Sequence, residues 1–282
     1  MLAAAALLPV NAALGVVLAV LLVAAVGVAA LARLADGRER GYARAIAVAG
    51  LRAAVQLAAV SALIGWVVHA LPLLLCFVLL MFAVAVRTAG RRITENGTWW
   101  WAAAPIGAGV LPVVVVLLLT GLVPLKGIAL IPITGILIGG ALTATVLAGR
   151  RALDELRTRH GEVEAGMALG LLDREARLEI ARPAASDALL PGLDQTRTVG
   201  LVTLPGAFVG MLLGGASPTL AGAVQLFVLV ALMAVQAVAV AVTLELIARG
   251  RLHRDGGREK GRGGRRWPGF KRSRNLNGAE GE

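Results

Sequence analysis

Seven apolar runs set the terms for this 282-residue chain, at roughly 10–32, 46–70, 71–87, 102–122, 127–148, 199–214 and 220–248. Each is long enough to cross a hydrocarbon layer of about 30 Å. At that depth no water meets the backbone's polar groups, so a segment facing lipid must close its own hydrogen bonds and becomes a helix. The expected fold is therefore all-α, a polytopic membrane helix bundle of about seven transmembrane helices over residues 1–248. The run at 199–214 is the weakest, because Pro205 and several glycines interrupt it; a kinked or broken helix is expected there. His69, Ala70, Leu71 and Pro72 divide the second and third runs and read as a tight turn. Charged residues make up 16% of the chain, against about 25% in soluble domains. Glycine is abundant and aromatics are only 4%, which suits helices that pack through small residues because lipid already solvates the large ones. The N-terminus lacks a basic leader, and its apolar stretch runs on to Arg33, so no cleavable signal is expected. Cys76 is the single cysteine, which excludes an internal disulfide.

The placement of positive charge orients such a bundle. Of the 28 Lys and Arg residues, four lie in 33–45, three in 87–98, eight in 149–198 and eleven from Arg249 onward. Only Lys126 falls in an alternate loop, and only Arg52 falls inside a run. Basic residues are retained on the cytoplasmic side. Seven spans with the N-terminus outside and the C-terminus cytoplasmic place all four clusters on that side. Residues 249–282 are rich in Arg, Gly and Lys with no apolar period, and read as a disordered basic cytoplasmic tail. Its expected role is to hold anionic lipid, at about 1 kcal/mol per basic residue near the surface. Nucleic acid is not an expected partner, since only Trp267 and Phe270 could stack on bases.

The stretch 149–198 is the one substantial segment outside the runs. Leu153, Leu156, Val163, Met167, Leu171 and Leu178 recur at three-, four- and seven-residue steps, the period of an amphipathic helix. Such a helix could lie on lipid. Its detail points elsewhere. Glu164-Ala165-Gly166 is followed by three residues and Gly170, and nine residues later by Ile180-Ala181-Arg182-Pro183. This resembles the EAA-x3-G-x9-I-x-L-P loop of bacterial ABC importer permeases, with Gly166 and Arg182 as departures. The resemblance implies that Glu164, Ala165, Gly170, Ile180 and Pro183 couple to an ATPase, with Gly170 turning the chain and Pro183 ending the second helix.

A second resemblance is more specific. Asp194-Gln195-Thr196-Arg197-Thr198-Val199-Gly200-Leu201-Val202-Thr203-Leu204-Pro205-Gly206 is similar to a block of the FetB/YbbM-type ABC-transporter permeases. So is Leu51-Arg52-Ala53-Ala54-Val55-Gln56-Leu57, as is the stretch Ala144 to Arg151. The likeness covers about residues 40–248. It implies a permease of the bacterial plasma (inner) membrane that exports a metal ion such as iron. It further implies a homodimer bound to separate cytoplasmic P-loop ATPase subunits. No G-x-x-x-x-G-K-[ST] motif occurs in the chain, so it is expected not to be an enzyme and to bind no cofactor directly, with ATP acting through the partner. The family carries asparagines near the positions of Gly140 and Thr143, and their loss here leaves the cargo open.

Residues expected to line a pathway are Arg52, Gln56, Thr198, Thr203, Pro205, Gly206 and Gln225. Arg52 either snorkels to the cytoplasmic face or acts with Gln56 one turn on; a buried charge at that depth costs about 2.5–3.5 kcal/mol on insertion scales. Gln225 and Gln236 either bond between helices or meet cargo. Glu245 is expected to pair with Arg249 one turn later. Metal ligands are unknown, because His69, His160 and His253 lie at different depths and no carboxylate pair is embedded. Two other classes stay open, an ion-coupled secondary transporter and a non-transporting membrane accessory subunit. The first wants embedded acids, which this chain lacks except for Glu245.

Overall fold

The computed structural model describes residues 11–36, 40–67, 70–121 and 127–254. His69, Lys126 and the segment 255–282, each used in the sequence reading, lie outside the described residues.

Among the described residues six helices are long and apolar enough to cross a membrane. α1 (Ala12–Leu31) starts at Asn11, whose side chain accepts the Leu14 amide at 3.1 Å and so satisfies one of the donors a helix start leaves open. A two-residue antiparallel pair, β1 (Ala35–Asp36) and β2 (Arg40–Gly41), leads into α2 (Tyr42–Val67). α3 (Leu71–Ile93) opens on Pro72, where a missing N–H costs nothing. A 3-10 turn over Gly97–Ala102 then leads into α4 (Ala103–Leu119). α5 (Gly127–Thr158) has 32 residues and α10 (Pro218–Ala248) has 31. At 1.5 Å per residue both are near 45–50 Å, longer than a bilayer needs. Pro112 and Pro132 sit inside α4 and α5; neighbouring helices can offset the lost backbone bonds in such spans.

The core lies where α5 and α10 pack on each other and on α3 and α4. Ala141 of α5, Val235 and Ala239 of α10 and Ile106 of α4 are fully buried. Small residues allow this approach. A Cβ built on Gly140 would stand 2.1 Å from Leu232 Cδ1 of α10, so Leu232 packs into the space that glycine leaves. α1 and α2 pack on one another and join the bundle through α3. Their valines and leucines, such as Val23 and Leu57, face outward. Outward apolar faces over this length are the composition of a lipid-facing surface.

The sixth run, at 199–214, does not form one span. Residues 199–205 are non-helical and α9 (Gly206–Leu213) has eight residues. Proline at 205 cannot donate to a preceding turn, and Gly200 takes a left-handed φ of 82°. This is the broken helix expected from those residues.

Between α5 and this break come α6 (His160–Ala168), α7 (Asp173–Ser186) and α8 (Leu190–Thr198), with a 3-10 turn at Asp187–Leu189. The chain beyond α10 returns to the same end. Leu252 is fully buried. The His253 carbonyl accepts from Thr94 Oγ1 and from Asn96 Nδ2, both at 2.9 Å. Arg254 donates from Nε to the Ile93 carbonyl at 2.7 Å and pairs with Asp154. Arg251 stacks over Trp101 at 5.0 Å. Residues 249–254, assigned to the tail from composition, are thus packed against the α3–α4 turn and α5. The carbonyls that α3 leaves unpaired at its end explain the fit: an arginine there satisfies them.

Ending the chain after Arg254 should leave the thermal midpoint of the detergent-solubilised protein unchanged, whereas ending it after Ala248 should lower it. Leu252→Ala alone should cost about 2–5 kcal/mol, the range for a buried leucine.

Candidate functional site

The α6–turn–α7 unit stands beyond the spans and presents the apolar residues of its tip outward. Gly170 forms the turn with a φ of 100°, a conformation that strains any residue with a Cβ. The Leu171 amide donates to the Gly166 carbonyl at 3.1 Å and the Gly170 amide to the Met167 carbonyl at 3.0 Å. These bonds close the end of α6. The start of α7 is closed from the other side, where Glu175 accepts the Leu172 amide at 3.2 Å. Between these caps the tip is left bare: Leu169 is 88% and Leu172 68% exposed. The amphipathic period read over 153–178 is thus divided by a turn. Val163 and Leu178 are buried while Leu171 and Met167 are exposed.

Glu164 is exposed on α6, 3.3 Å from His160 Nδ1, and Ala165 is exposed beside it. Gly166 backs onto α7: a Cβ there would meet the Ala176 Cβ and Leu171 Cδ1 at 3.4 Å, ordinary contact, so alanine would also fit. Arg159 holds Glu162 below the usual carboxylate range through a direct hydrogen bond. Ile180 is half-buried and Pro183 exposed, both on α7. Glu164 and Ala165 therefore lie on α6 and Gly170 in the turn that follows it, while Ile180 and Pro183 lie further along the second helix. Pro183 does not end that helix, which runs to Ser186. The 3-10 turn at Asp187 ends it instead.

This unit is tied firmly to the spans. Arg174 donates to both oxygens of Glu245, from Nε at 2.8 Å and from Nη2 at 2.7 Å. A two-pronged arginine–carboxylate pair fixes orientation as well as distance. Glu245 also takes the expected bond from Arg249. The Arg174 arm was not legible from spacing, since 71 residues separate it from its partner. Ala176 of α7 is buried beside Gly166 of α6, while Ala181 and Ala185 are buried in the main core, where α7 packs on α5 and α10. Arg151 of α5 pairs with Asp187 at 2.9 Å.

The block 198–206 is a compact turn. The Thr198 carbonyl accepts from the amides of Val202 at 2.9 Å and Thr203 at 3.3 Å, and the Gly200 amide donates to the Thr203 carbonyl at 2.9 Å. Thr198 Oγ1 donates back to the Asp194 carbonyl. Pro205 precedes the first residue of α9, Gly206. The Thr-Val-Gly and Pro-Gly choices that hydrophobicity does not require are those of this turn. The other polar residues fall apart from it and from one another. Arg52 and Gln56 are exposed on α2, which packs on α1 and α3, while Gln225 is buried on α10. Among the described residues the Gln225 Oε1 has no hydrogen-bond partner. Gln236 lies against α8, where a Cβ on Gly192 would stand 2.1 Å from its Oε1. Among the described residues no three His, Cys, Asp or Glu side chains cluster as metal ligands would.

Six long apolar helices with a helical appendage at one end define a multi-pass, all-helical membrane protein. The profile of the family described as "Uncharacterised protein family (UPF0014)" matches residues 13–251, and the chain belongs to that family. It is 30% identical over 203 residues to the UPF0014 membrane protein YjkA of Bacillus subtilis, covering 70% of this chain and 80% of that one. It is 36% identical over 166 residues to the protein ALUMINUM SENSITIVE 3 of Arabidopsis thaliana, covering 58% of each chain. Over 126 residues it is 30% identical to the probable iron export permease protein FetB of Escherichia coli, covering 45% of this chain and 48% of that one. The chain thus spans little more than half the length of some of the curated relatives it matches. No solved structure matches it.

Gly170→Ala should loosen the α6–α7 unit, seen as faster amide exchange over 160–186 with the spans unchanged. Gly166→Ala should leave exchange as it is.

Proposed function

We propose that this chain is the permease subunit of an ABC transporter, moved by a separate cytoplasmic P-loop ATPase. The observation that carries the reading is the α6–Gly170–α7 unit. It offers an exposed apolar tip beyond the spans on a rigid, capped turn, and it is anchored by Arg174–Glu245 to α10 and by its alanine face to α5. An apolar surface of this kind in water marks a protein interface. Closure of an ATPase pair against the tip would be passed to both long helices at once, since α7 cannot shift without them. The chain itself performs no hydrolysis in this reading and holds no cofactor; ATP acts through the partner. A homodimer supplies the second half of the pathway. The N-terminus lies outside and the C-terminus in the cytoplasm, as the basic clusters favour. In support, the loops at 94–102, 149–198 and 249–254 meet at one end of the bundle.

The cargo is a metal ion such as iron, exported. This finer reading is supported by the similarity to FetB alone.

Pull-down of the tagged full-length chain from its own membranes should bring a P-loop ATPase with it. Glu164→Arg and Gly170→Arg should each release that ATPase while membrane insertion is retained. If the wild-type chain stays folded and brings no ATPase, the permease reading fails. Orientation is checked in a Cys76→Ala background, where a cysteine at Gly121 should react with an impermeant thiol reagent from outside and one at Arg159 only from inside.

A further inference from the structure

A cavity of about 790 Å³ opens at the end of the bundle where α3, α5, α6 and the chain after α10 converge. Its wall is unusually rich in arginine for a chain with so few charges. Arg91, Arg92, Arg157, Arg177 and Arg254 all line it. Three of these are occupied within the fold. Arg177 pairs with Asp173, Arg254 with Asp154, and Arg91 bonds the Glu95 carbonyl and stacks on Trp99. Arg92 and Arg157 are different: among the described residues neither has a hydrogen bond or an ion pair. The charge of Arg254 is balanced by Asp154, while its buried Nη2 has no hydrogen-bond partner among the described residues.

The acids of the wall do not offset its arginines. Asp173 is taken by Arg177, which leaves Glu95 and Glu164 against the charges of Arg91, Arg92 and Arg157. Guanidinium groups match the geometry of phosphate and carboxylate oxygens and are weakly hydrated, so two of them held at one cavity favour an oxyanion over a simple halide. Part of the lining is apolar, from Leu153, Leu156 and Met167. Bare phosphate makes no use of such a wall. A phosphate attached to a lipid does, and the ends of the spans lie where headgroups lie.

We propose that this cavity binds a phosphate group through Arg92 and Arg157, and that an anionic phospholipid headgroup supplies it. The inference stands on the cavity and its arginines and holds whether or not an ATPase docks on α6. Occupancy would link α6 to α3 and α5, which already pack on one another.

The test uses the full-length chain in mild detergent, titrated separately with phosphatidylglycerol, phosphatidylcholine and inorganic phosphate and read by native mass spectrometry. Phosphatidylglycerol should be retained and phosphatidylcholine should not. The double variant Arg92→Gln/Arg157→Gln should bind phosphatidylglycerol about thirtyfold more weakly, and Arg157→Gln alone about fivefold. The single variant removes a side chain with no partner in the fold, so it should fold even if the double does not. Arg182→Gln, exposed on α7 outside the cavity, should bind as the wild type does. Retention of inorganic phosphate with the same arginine dependence, and no retention of lipid, would keep the phosphate site and replace its source by a soluble one. Equal binding by wild type and the Arg157 variant, or an equal loss in Arg182→Gln, would overturn the site in favour of general surface charge.

Discussion

The close packing of α5 against α10 holds the remainder of the molecule in place. Both helices are longer than a bilayer requires, and both continue past the core toward the same end. Their approach rests on small residues in the core between them, Gly140 against Leu232 and Ala141 and Ala239 fully buried in the same cluster. Between membrane helices there is no hydrophobic drive, because lipid is as apolar as leucine; dispersion at short range is what remains. Small side chains increase that contact by letting backbones draw together. Everything outside the spans is then fastened to these two helices: α7 through its alanine face and Arg174, the 3-10 turn through Arg151, and the final residues through Leu252 and Arg254.

That arrangement gives the α6–α7 unit its mechanical character. A loop held only by its two ends would absorb a push at its tip. This one is braced along α7 and pinned to α10 by a two-pronged ion pair, so a force on Leu169 or Leu172 is delivered to the spans. The polar residues of the membrane segments are spread differently. Gln225 is enclosed in one chain, while Arg52 and Gln56 point outward from α2. A guanidinium facing hydrocarbon is costly, and in the homodimer proposed above the outward face of α2 is where a second copy could meet it.

Much of the architecture could be read from the order of residues. Length and hydropathy identify spans because in lipid the helix is the backbone's way to satisfy itself. Pro205 and the nearby glycines mark the broken segment for the same reason in reverse. Gly170 could be read as a turn, and Glu245 with Arg249 as a pair, since both depend on neighbours a few residues away. Pro183 misled: a proline can remain within a helix when flanking turns hold, and α7 continues to Ser186.

What the sequence by itself determined, then, is local: which segments are helical, where they break, and which loops carry positive charge. The tertiary structure decided what depends on distant partners. Arg174 meets Glu245 across 71 residues, and Thr94 meets the carbonyl of His253 across 159. Composition placed residues 249–254 in a tail, yet the unpaired carbonyls at the end of α3 and the buried seat for Leu252 make them part of the fold. Likewise Arg92 and Arg157 look like two of many basic residues in the chain. Only the convergence of α3, α5 and α6 sets them on one cavity, because such a contact is fixed by helix packing and leaves no period in the sequence.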